Sequence, residues 1–135
     1  MDSHVNQREE IRPAQTRRVV VEAALRAYIE RVTQLHFNEV VFIILFGSQA
    51  RGDSEAESDI DVLVVVENDS SALREALADL AWQVQLEYGV VISDIIRSIE
   101  QFDRMRAKRF PFYQSLEREG IVLWKRTSEP MPAFG

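Results

Sequence analysis

The sequence has no cysteine, so it holds no disulfide scaffold, cysteine-ligated zinc site or thiol nucleophile. It has only five glycines and four prolines in 135 residues, too few for a fibrous or low-complexity chain. Long apolar runs are also missing: the longest, Val40–Phe46, is too short to span a bilayer, and residues 1–13 lack the apolar segment of a signal peptide. We therefore expect a soluble, cytoplasmic protein with a single hydrophobic core.

Positive charge is scarce in the middle of the chain. Residues 39–94 carry two arginines against twelve acidic residues, whereas residues 95–126 carry eight basic residues against four acidic ones. An acidic block of this kind repels a phosphate-bearing ligand unless cations intervene. The same pattern is also typical of a solvated acidic surface, so the positions of the individual acids must decide between the two interpretations.

Hydrophobic periodicity predicts a single α/β (α+β) domain over residues 1–126. Apolar residues at helical spacing predict a helix over residues 13–36, and two β-branched apolar runs predict buried strands at Val40–Phe46 and Ile60–Val66. Capping residues predict a helix that begins at Asp69, Ser70 or Ser71, runs to Tyr88 and is closed by Gly89, followed by a strand over Val90–Arg97. Ser98 and Gln101 have the spacing of a capping box and predict a short helix after Ser98. A last helix is predicted from Pro111 to Gly120, and an edge strand over Ile121–Trp124. Residues 47–58 are polar and include two glycines, which predicts a loop, with one helical turn after Ser48 as the alternative. We expect the tail over residues 127–135 to be disordered.

A pair of aspartates begins the second predicted strand. Asp59 and Asp61 are two residues apart, so both side chains leave the same face of that strand. Two neighbouring carboxylates raise each other's pKa unless a cation joins them, and Mg²⁺ prefers a few carboxylates together with waters and substrate phosphates. The alternative is that an isolated D-x-D pair simply begins a strand at the solvent edge.

A third acidic residue, Asp94, interrupts the third predicted strand. It lies between Ile92 and Ile95, where an unpaired charge is costly. If this strand pairs beside Ile60–Val66, the Asp94 carboxylate can point at the same place as the aspartate pair. The alternative is that Asp94 lies on a hydrated face of the strand.

A glycine–serine pair ends the first predicted strand. Gly47 has no Cβ, so the backbone can turn tightly and approach a ligand closely, and Ser48 with the amides after it can donate to a phosphate. Taken alone, the pair is also what an ordinary strand-ending turn looks like. Combined with metal-held carboxylates, it indicates a site for phosphoryl or nucleotidyl transfer.

These residues together resemble a known family signature. The matching pattern is Gly47-Ser48-x-Ala50-Arg51-Gly52, followed after a gap by Ser58-Asp59-x-Asp61. It resembles the signature of the nucleotidyltransferase superfamily related to DNA polymerase β, and it is most similar to the minimal branch, the MNT proteins, which include antitoxins paired with HEPN toxins. The resemblance covers nearly the whole chain and implies a nucleotidyltransferase fold with a small mixed β-sheet flanked by helices.

The resemblance also implies roles for individual residues. Asp59 and Asp61 would bind two Mg²⁺ ions, and Asp94 would complete one metal site and help to activate the attacking hydroxyl. Gly47 and Ser48 would hold the triphosphate of ATP. All three aspartates are therefore expected to be both metal ligands and catalytic residues.

The roles of two basic features stay open. Arg51 matches a family position and is placed in the nucleotide site, where it contacts phosphate or pairs with the acids of residues 53–57. The basic run Arg104, Arg106, Lys108 and Arg109 is typical of a solvated helix face. Its alternative role is to supply positive charge to a nucleotide or to an acidic partner surface.

The activity implied by the resemblance is Mg²⁺-dependent transfer of AMP from ATP to a hydroxyl, a tyrosine above all, of a partner HEPN toxin, with this chain acting as the antitoxin. One alternative is a small-molecule (aminoglycoside-like) nucleotidyltransferase, and another is a non-catalytic antitoxin that binds and covers its toxin. The aminoglycoside-modifying members usually carry an added helical domain, for which 135 residues leave no room. This favours an acceptor supplied by another protein, and no direct binding to nucleic acid or membrane is expected.

Overall fold

Five helices and four strands form the part of the chain that the computed structural model describes, residues 13–52, 59–132 and 134. The strands are β1 (Val40–Phe46), β2 (Ile60–Val66), β3 (Ile92–Ser98) and β4 (Ile121–Lys125). The helices are α1 (Pro13–Leu35), α2 (Gly47–Arg51), α3 (Ser71–Tyr88), α4 (Ile99–Ala107) and α5 (Pro111–Glu119). None of the helices in these described ranges is both long enough and apolar enough to cross a bilayer.

The sheet has the strand order β3-β2-β1-β4 and contains both strand orientations. Strand β1 pairs antiparallel with β2 on one side and with β4 on the other. Strands β2 and β3 pair in parallel, because α3 carries the chain back across one face of the sheet between them. The prediction of an α/β fold with a small mixed sheet is confirmed.

Helices cover both faces of this sheet. On one face, which we call the α1–α3 face, Val62 and Val64 of β2 point into a core shared with α1 and α3. On the opposite α4–α5 face, Leu63 and Val65 point into a second core shared with α4 and α5. Because side chains alternate along a strand, Asp61 lies on the α4–α5 face together with Leu63. The two interior strands are nearly all apolar since both of their faces are covered.

The helix ends follow the capping residues that the sequence predicts. The Ser70 hydroxyl accepts a hydrogen bond from the Leu73 N–H at 3.1 Å, and Gly89, with φ of 72°, ends α3. Ser98 and Gln101 form the predicted capping box of α4, with hydrogen bonds of 3.0 and 2.8 Å. These caps fix where α4 begins, and therefore where β3 stops.

Two boundaries differ from the sequence-based expectation. Strand β3 begins at Ile92 and ends at Ser98, slightly later than predicted, because Ser98 both ends the strand and caps α4. The helical-turn alternative for the loop after β1 is correct over residues 47–51. The rest of that predicted loop, residues 53–58, lies outside the described residues.

Two residues after Thr127, Glu129 and Phe134, contact the domain, and the disorder expected of the whole tail stays a prediction. Arg126 forms ion pairs with Glu67 and Glu129, and the Lys125 ammonium donates to the Glu129 carbonyl at 2.6 Å. The Phe134 ring packs edge-on against a core ring of α5, with 5.9 Å between the centroids. Prolines and missing periodicity exclude regular secondary structure from this segment, but they do not exclude irregular contacts of this kind.

Candidate active site

The turn after β1 brings the backbone against an acidic side chain of β2. Gly47 has φ of +75°, a left-handed conformation that L side chains rarely adopt. A Cβ built on Gly47 would lie 2.5 Å from Oδ2 and 3.3 Å from Cγ of Asp61. Both the turn and the contact therefore require glycine at this position.

The Asp61 side chain is half-buried where β1 and β2 pair. Its register partner is Phe46, the residue immediately before Gly47. Burial raises the pKa of Asp61, the negative charge of Asp59 raises it further, and the Arg51 guanidinium lowers it. Asp59 is exposed and immediately precedes β2. The predicted neighbouring pair is thus present, and Arg51 offsets only part of a repulsion that a divalent cation would relieve.

Helix α2 places the other motif residues beside this pair. Gly52 closes the helix with φ of +79°, and its N–H donates to the Ser48 carbonyl at 2.9 Å. The Ser48 side chain is half-buried. Arg51 donates to Glu119 of α5 at 3.2 Å, a partner that the sequence did not predict. The acids of residues 53–57, the predicted alternative partners of Arg51, lie outside the described residues.

Asp94 is the one predicted site residue that lies away from the others. Strand β3 does pair beside β2, as the sequence analysis supposed, but the register places Asp94 next to Val62 and Ser93 next to Asp61. Residues paired in this way share a face, so Asp94 points to the α1–α3 face and Asp61 to the α4–α5 face. The expectation that the Asp94 carboxylate points at the same place as the aspartate pair is therefore wrong in this structure.

The Asp94 carboxylate has a partner of its own on helix α1. The hydroxyl of Tyr28, which is fully buried, donates to Asp94 Oδ2 at 2.8 Å. Burial raises the pKa of Asp94, and the hydrogen bond from Tyr28 lowers it. Burial also raises the pKa of the Tyr28 phenol well above its ordinary value, and Asp94 adds to this, so the phenol stays a donor. In the sequence, Tyr28 was one apolar position of a helical stripe, and nothing there indicated this contact.

The remaining donor set is suited to magnesium. Nowhere in the described residues do three or more His, Cys, Asp or Glu side chains form a group that could hold a metal ion. Mg²⁺ does not need such a cage, because it is usually bound by one or two carboxylates together with waters and substrate phosphates. Asp59 and Asp61 supply the carboxylates, and the close approach of Gly47 leaves backbone rather than a side chain beside them.

Comparisons of the sequence with known proteins found a family model and several relatives. Residues 25–117 match the sequence model of the family described as Nucleotidyltransferase domain. A protein of Methanocaldococcus jannaschii named "Putative protein adenylyltransferase" is 36% identical over 103 residues, which cover 76% of this chain and 97% of that protein.

Two solved structures share the fold. A "putative nucleotidyltransferase" from Sulfolobus solfataricus gives a TM-score of 0.54 at 21% identity, covering 91% of this chain and 96% of that chain. A chain of a toxin–antitoxin crystal structure with AMP-PNP gives a TM-score of 0.50 at 19% identity, covering 74% of this chain and 73% of that chain. At these identities the two structures show a common fold and nothing further.

Proposed function

Because this chain belongs to the nucleotidyltransferase domain family, we propose that it transfers AMP from ATP to a tyrosine hydroxyl of a partner HEPN-type toxin and thereby acts as an antitoxin. The observation that carries the proposal is the close approach of Gly47 to Asp61. It places a backbone turn free of side chain directly beside a carboxylate pair, which is the arrangement that a metal-bound triphosphate needs.

Asp59 and Asp61 would hold the magnesium ions in this proposal. Their oxygen donors fit the ion, and its positive charge would offset both the burial and the repulsion from Asp59 that raise the pKa of Asp61. When bound, two Mg²⁺ ions supply positive charge to the triphosphate and to the attacking oxygen. Asp94 has no place in this set, because it faces α1 and accepts the hydrogen bond from Tyr28.

The other residues of the site position the nucleotide. The Gly47 backbone leaves room for the triphosphate, the Ser48 hydroxyl donates to a phosphate oxygen, and the Arg51 guanidinium offsets negative charge near Asp61. The acceptor oxygen bonds to the α-phosphorus while the bond from that phosphorus to the pyrophosphate oxygen breaks. The products are the AMP-modified acceptor, pyrophosphate and one proton released to water.

The names of similar proteins support a protein as the acceptor of the AMP group. The match to the M. jannaschii relative covers 97% of that protein, whose name describes transfer of adenylyl groups to protein. The toxin–antitoxin structure with AMP-PNP shares the fold, which supports a toxin as the partner. Adding a phosphate charge and a bulky base to such a toxin would exclude RNA from a nearby catalytic site.

A labelling experiment tests this proposal. The purified chain is incubated with the protein encoded by the neighbouring gene, Mg²⁺, and ATP labelled either on the α-phosphate or on the γ-phosphate. We expect only the α-label to enter the partner, with the modified residue mapped to a tyrosine by mass spectrometry. The variants Asp59→Asn and Asp61→Asn should abolish the labelling.

Two outcomes would contradict the proposal in different ways. Transfer of the γ-label would show a phosphoryl transferase instead of a nucleotidyltransferase. If the Asp59→Asn, Asp61→Asn double variant still protects cells fully from the toxin, protection comes from covering the toxin and does not need transfer. Arg118→Ala, which removes an exposed charge on α5 whose guanidinium donates to Ser115, is the matched control and should label the partner normally.

A further inference from the structure

A cavity on the α4–α5 face has no role in the site described so far. Its volume is about 410 Å³, which is within the usual range for small-molecule pockets. It lies between β3, α4 and the start of α5, and its lining residues are Ile95, Arg97, Gln101, Arg104, Met105, Phe110 and Phe112. This lining combines aromatic, apolar and cationic groups and includes no acid.

The cavity lies on the same face of the sheet as Asp61 and close to it along the chain pairing. Ser93 is the register partner of Asp61, and Ile95, which lines the cavity, is the next residue of β3 on the same face. Two residues along a strand correspond to roughly 7 Å. On the other side, the cavity residue Phe112 packs against Phe46 with 5.1 Å between the ring centroids, and Phe46 immediately precedes Gly47. The cavity is therefore within reach of the far end of a ligand that is bound at Gly47 and Asp61.

The chemistry of the lining selects a flat, electron-rich ring. The Phe110 and Phe112 rings offer faces on which a nucleobase can stack, and guanidinium groups such as that of Arg104 both stack on and hydrogen-bond to such rings. Phe110 and Arg104 are exposed, so neither is needed to hold the core together. From these observations we infer that the cavity binds the purine base of the nucleotide substrate, an inference that rests on the proposed function.

A second cavity has a lining of different charge. That cavity, of about 320 Å³, lies between α4 and the C-terminal segment, and its charged residues are Asp103, Arg106 and Glu129. Arg106 is paired there with Asp103, and acids outnumber bases. A phosphorylated ligand is disfavoured in that cavity, whereas the charged residues that line the first one are two arginines, of which Arg104 pairs with Glu100 at 3.5 Å.

Binding measurements with separate parts of the nucleotide test the inference. Mg²⁺-dependent affinities for ATP, CTP and inorganic tripolyphosphate are measured by calorimetry for the wild type, Phe110→Ala and Arg104→Ala. Loss of base stacking should weaken ATP binding to Phe110→Ala by about five- to tenfold and leave tripolyphosphate unchanged. Arg104→Ala should act in the same direction, and both variants should reduce the preference for ATP over CTP.

Matched controls come from elsewhere on the surface. Trp82→Ala removes an exposed aromatic ring from α3, on the opposite side of the sheet, and Arg106→Ala removes an exposed arginine from the same helix as Arg104. Both controls should bind ATP as the wild type does. Circular dichroism of every variant shows whether the fold is retained.

Each other outcome overturns the inference. If Phe110→Ala and Arg104→Ala bind ATP normally, the base lies elsewhere, and if in addition they lose transfer to the partner, the cavity receives the acceptor. Equal losses for ATP and tripolyphosphate would assign the cavity to phosphate. These failures leave the proposed function standing, whereas a wild type that binds no nucleotide with Mg²⁺ refutes the proposed function and the inference together.

Discussion

Two left-handed glycines, one at the start of α2 and one just after its end, separate the effect of backbone conformation from the effect of a side-chain contact. Gly47 and Gly52 have nearly equal φ values of 75° and 79°. A Cβ on Gly47 would collide with Asp61, whereas a Cβ on Gly52 would meet no atom of the described residues within 4 Å. The same substitution at the two positions therefore carries the same conformational penalty and a different consequence for the site.

We expect Gly47→Ala to abolish AMP transfer and to lower stability by more than Gly52→Ala does. The left-handed conformation costs an alanine about 1–2 kcal/mol at either position. Only Gly47→Ala adds the displacement of the Asp61 carboxylate. Thermal unfolding gives the stability difference, and the rate of α-label transfer gives the activity. Full activity in Gly47→Ala would show that the contact does not shape the nucleotide site.

Asp61 makes stability depend on pH in a predictable direction. Because burial and Asp59 hold its folded-state pKa above the ordinary value of 3.8, its contribution to the free energy of unfolding is present in full below that value. The contribution is lost as pH rises through the folded-state pKa. At neutral pH without metal, ionised Asp61 is thus destabilising.

Asp61→Asn should therefore be more stable than the wild type in EDTA at neutral pH, and the difference should vanish as pH falls to about 4. Melting temperatures across this pH range measure the difference, with Asp79→Asn, an exposed acid of α3, as the control. Added Mg²⁺ should stabilise the wild type and leave the variant unchanged. A variant that is less stable at neutral pH would show that the Asp61 carboxylate has a structural role.

At the scale of the elements, the Tyr28–Asp94 hydrogen bond links α1 to β3 across one core. Tyr28→Phe removes the only donor that the structure describes from another side chain to this carboxylate, and we expect a loss of about 1–3 kcal/mol in the free energy of unfolding. The Asp94→Asn variant keeps an acceptor oxygen for the Tyr28 hydroxyl. It also removes a partly buried negative charge, which burial disfavours, as the raised pKa of the Asp94 carboxyl shows. The stability of this variant should therefore be close to that of the wild type.

The same variants decide whether Asp94 takes part in the chemistry. Calorimetry should show that Asp94→Asn binds ATP with Mg²⁺ normally, since its side chain faces away from Asp61. Asp61→Asn should lose that binding. An equal loss in both variants would mean that the Asp94 carboxylate reaches the metal site in the working enzyme.

The helices and strands could be predicted from the sequence, but the register in which neighbouring strands pair could not. Ser70, Gly89 and Ser98 are local signals, and each marks a helix end or a strand end within a residue or two. Which residue of β3 lies beside Asp61 depends instead on how two distant segments pair. A slip of one residue exchanges the two faces of a strand. The condition that β3 pairs beside β2 is therefore met, although the face of Asp94 that was expected to follow from it is wrong.

The motif residues illustrate the same limit at the site. The spacing of Asp59 and Asp61 already indicated that the two carboxylates are neighbours, because it depends on one strand alone. The contact from Arg51 to Glu119 and the cavity beside Phe112 join residues far apart in the chain. No local pattern marks them, so only the packing of α5 against the sheet reveals them.

At the scale of the whole molecule, the charge distribution places opposite signs around one site. The acidic residues 39–94 supply the aspartate pair, and the basic residues 95–126 supply the arginines of the cavity. The family membership confirms the resemblance seen in the sequence, and it favours the functional interpretation of the acidic block over a merely solvated surface. Under the proposed function, divalent cations neutralise the acidic side so that a triphosphate can bind there.

Salt should therefore act in opposite directions with and without the metal. In EDTA, repulsion between the aspartate pair and ATP dominates, so raising the salt from about 0.03 to about 0.3 M should strengthen the weak residual binding by screening that repulsion. With Mg²⁺, attraction dominates and the same change should weaken binding. Competition against a fluorescent ATP analogue measures both series, and the Asp59→Asn, Asp61→Asn double variant should lose the strengthening in EDTA. If salt instead weakens binding in EDTA, the arginines of residues 95–126 control the encounter, and the acidic block is a solvated surface away from the nucleotide.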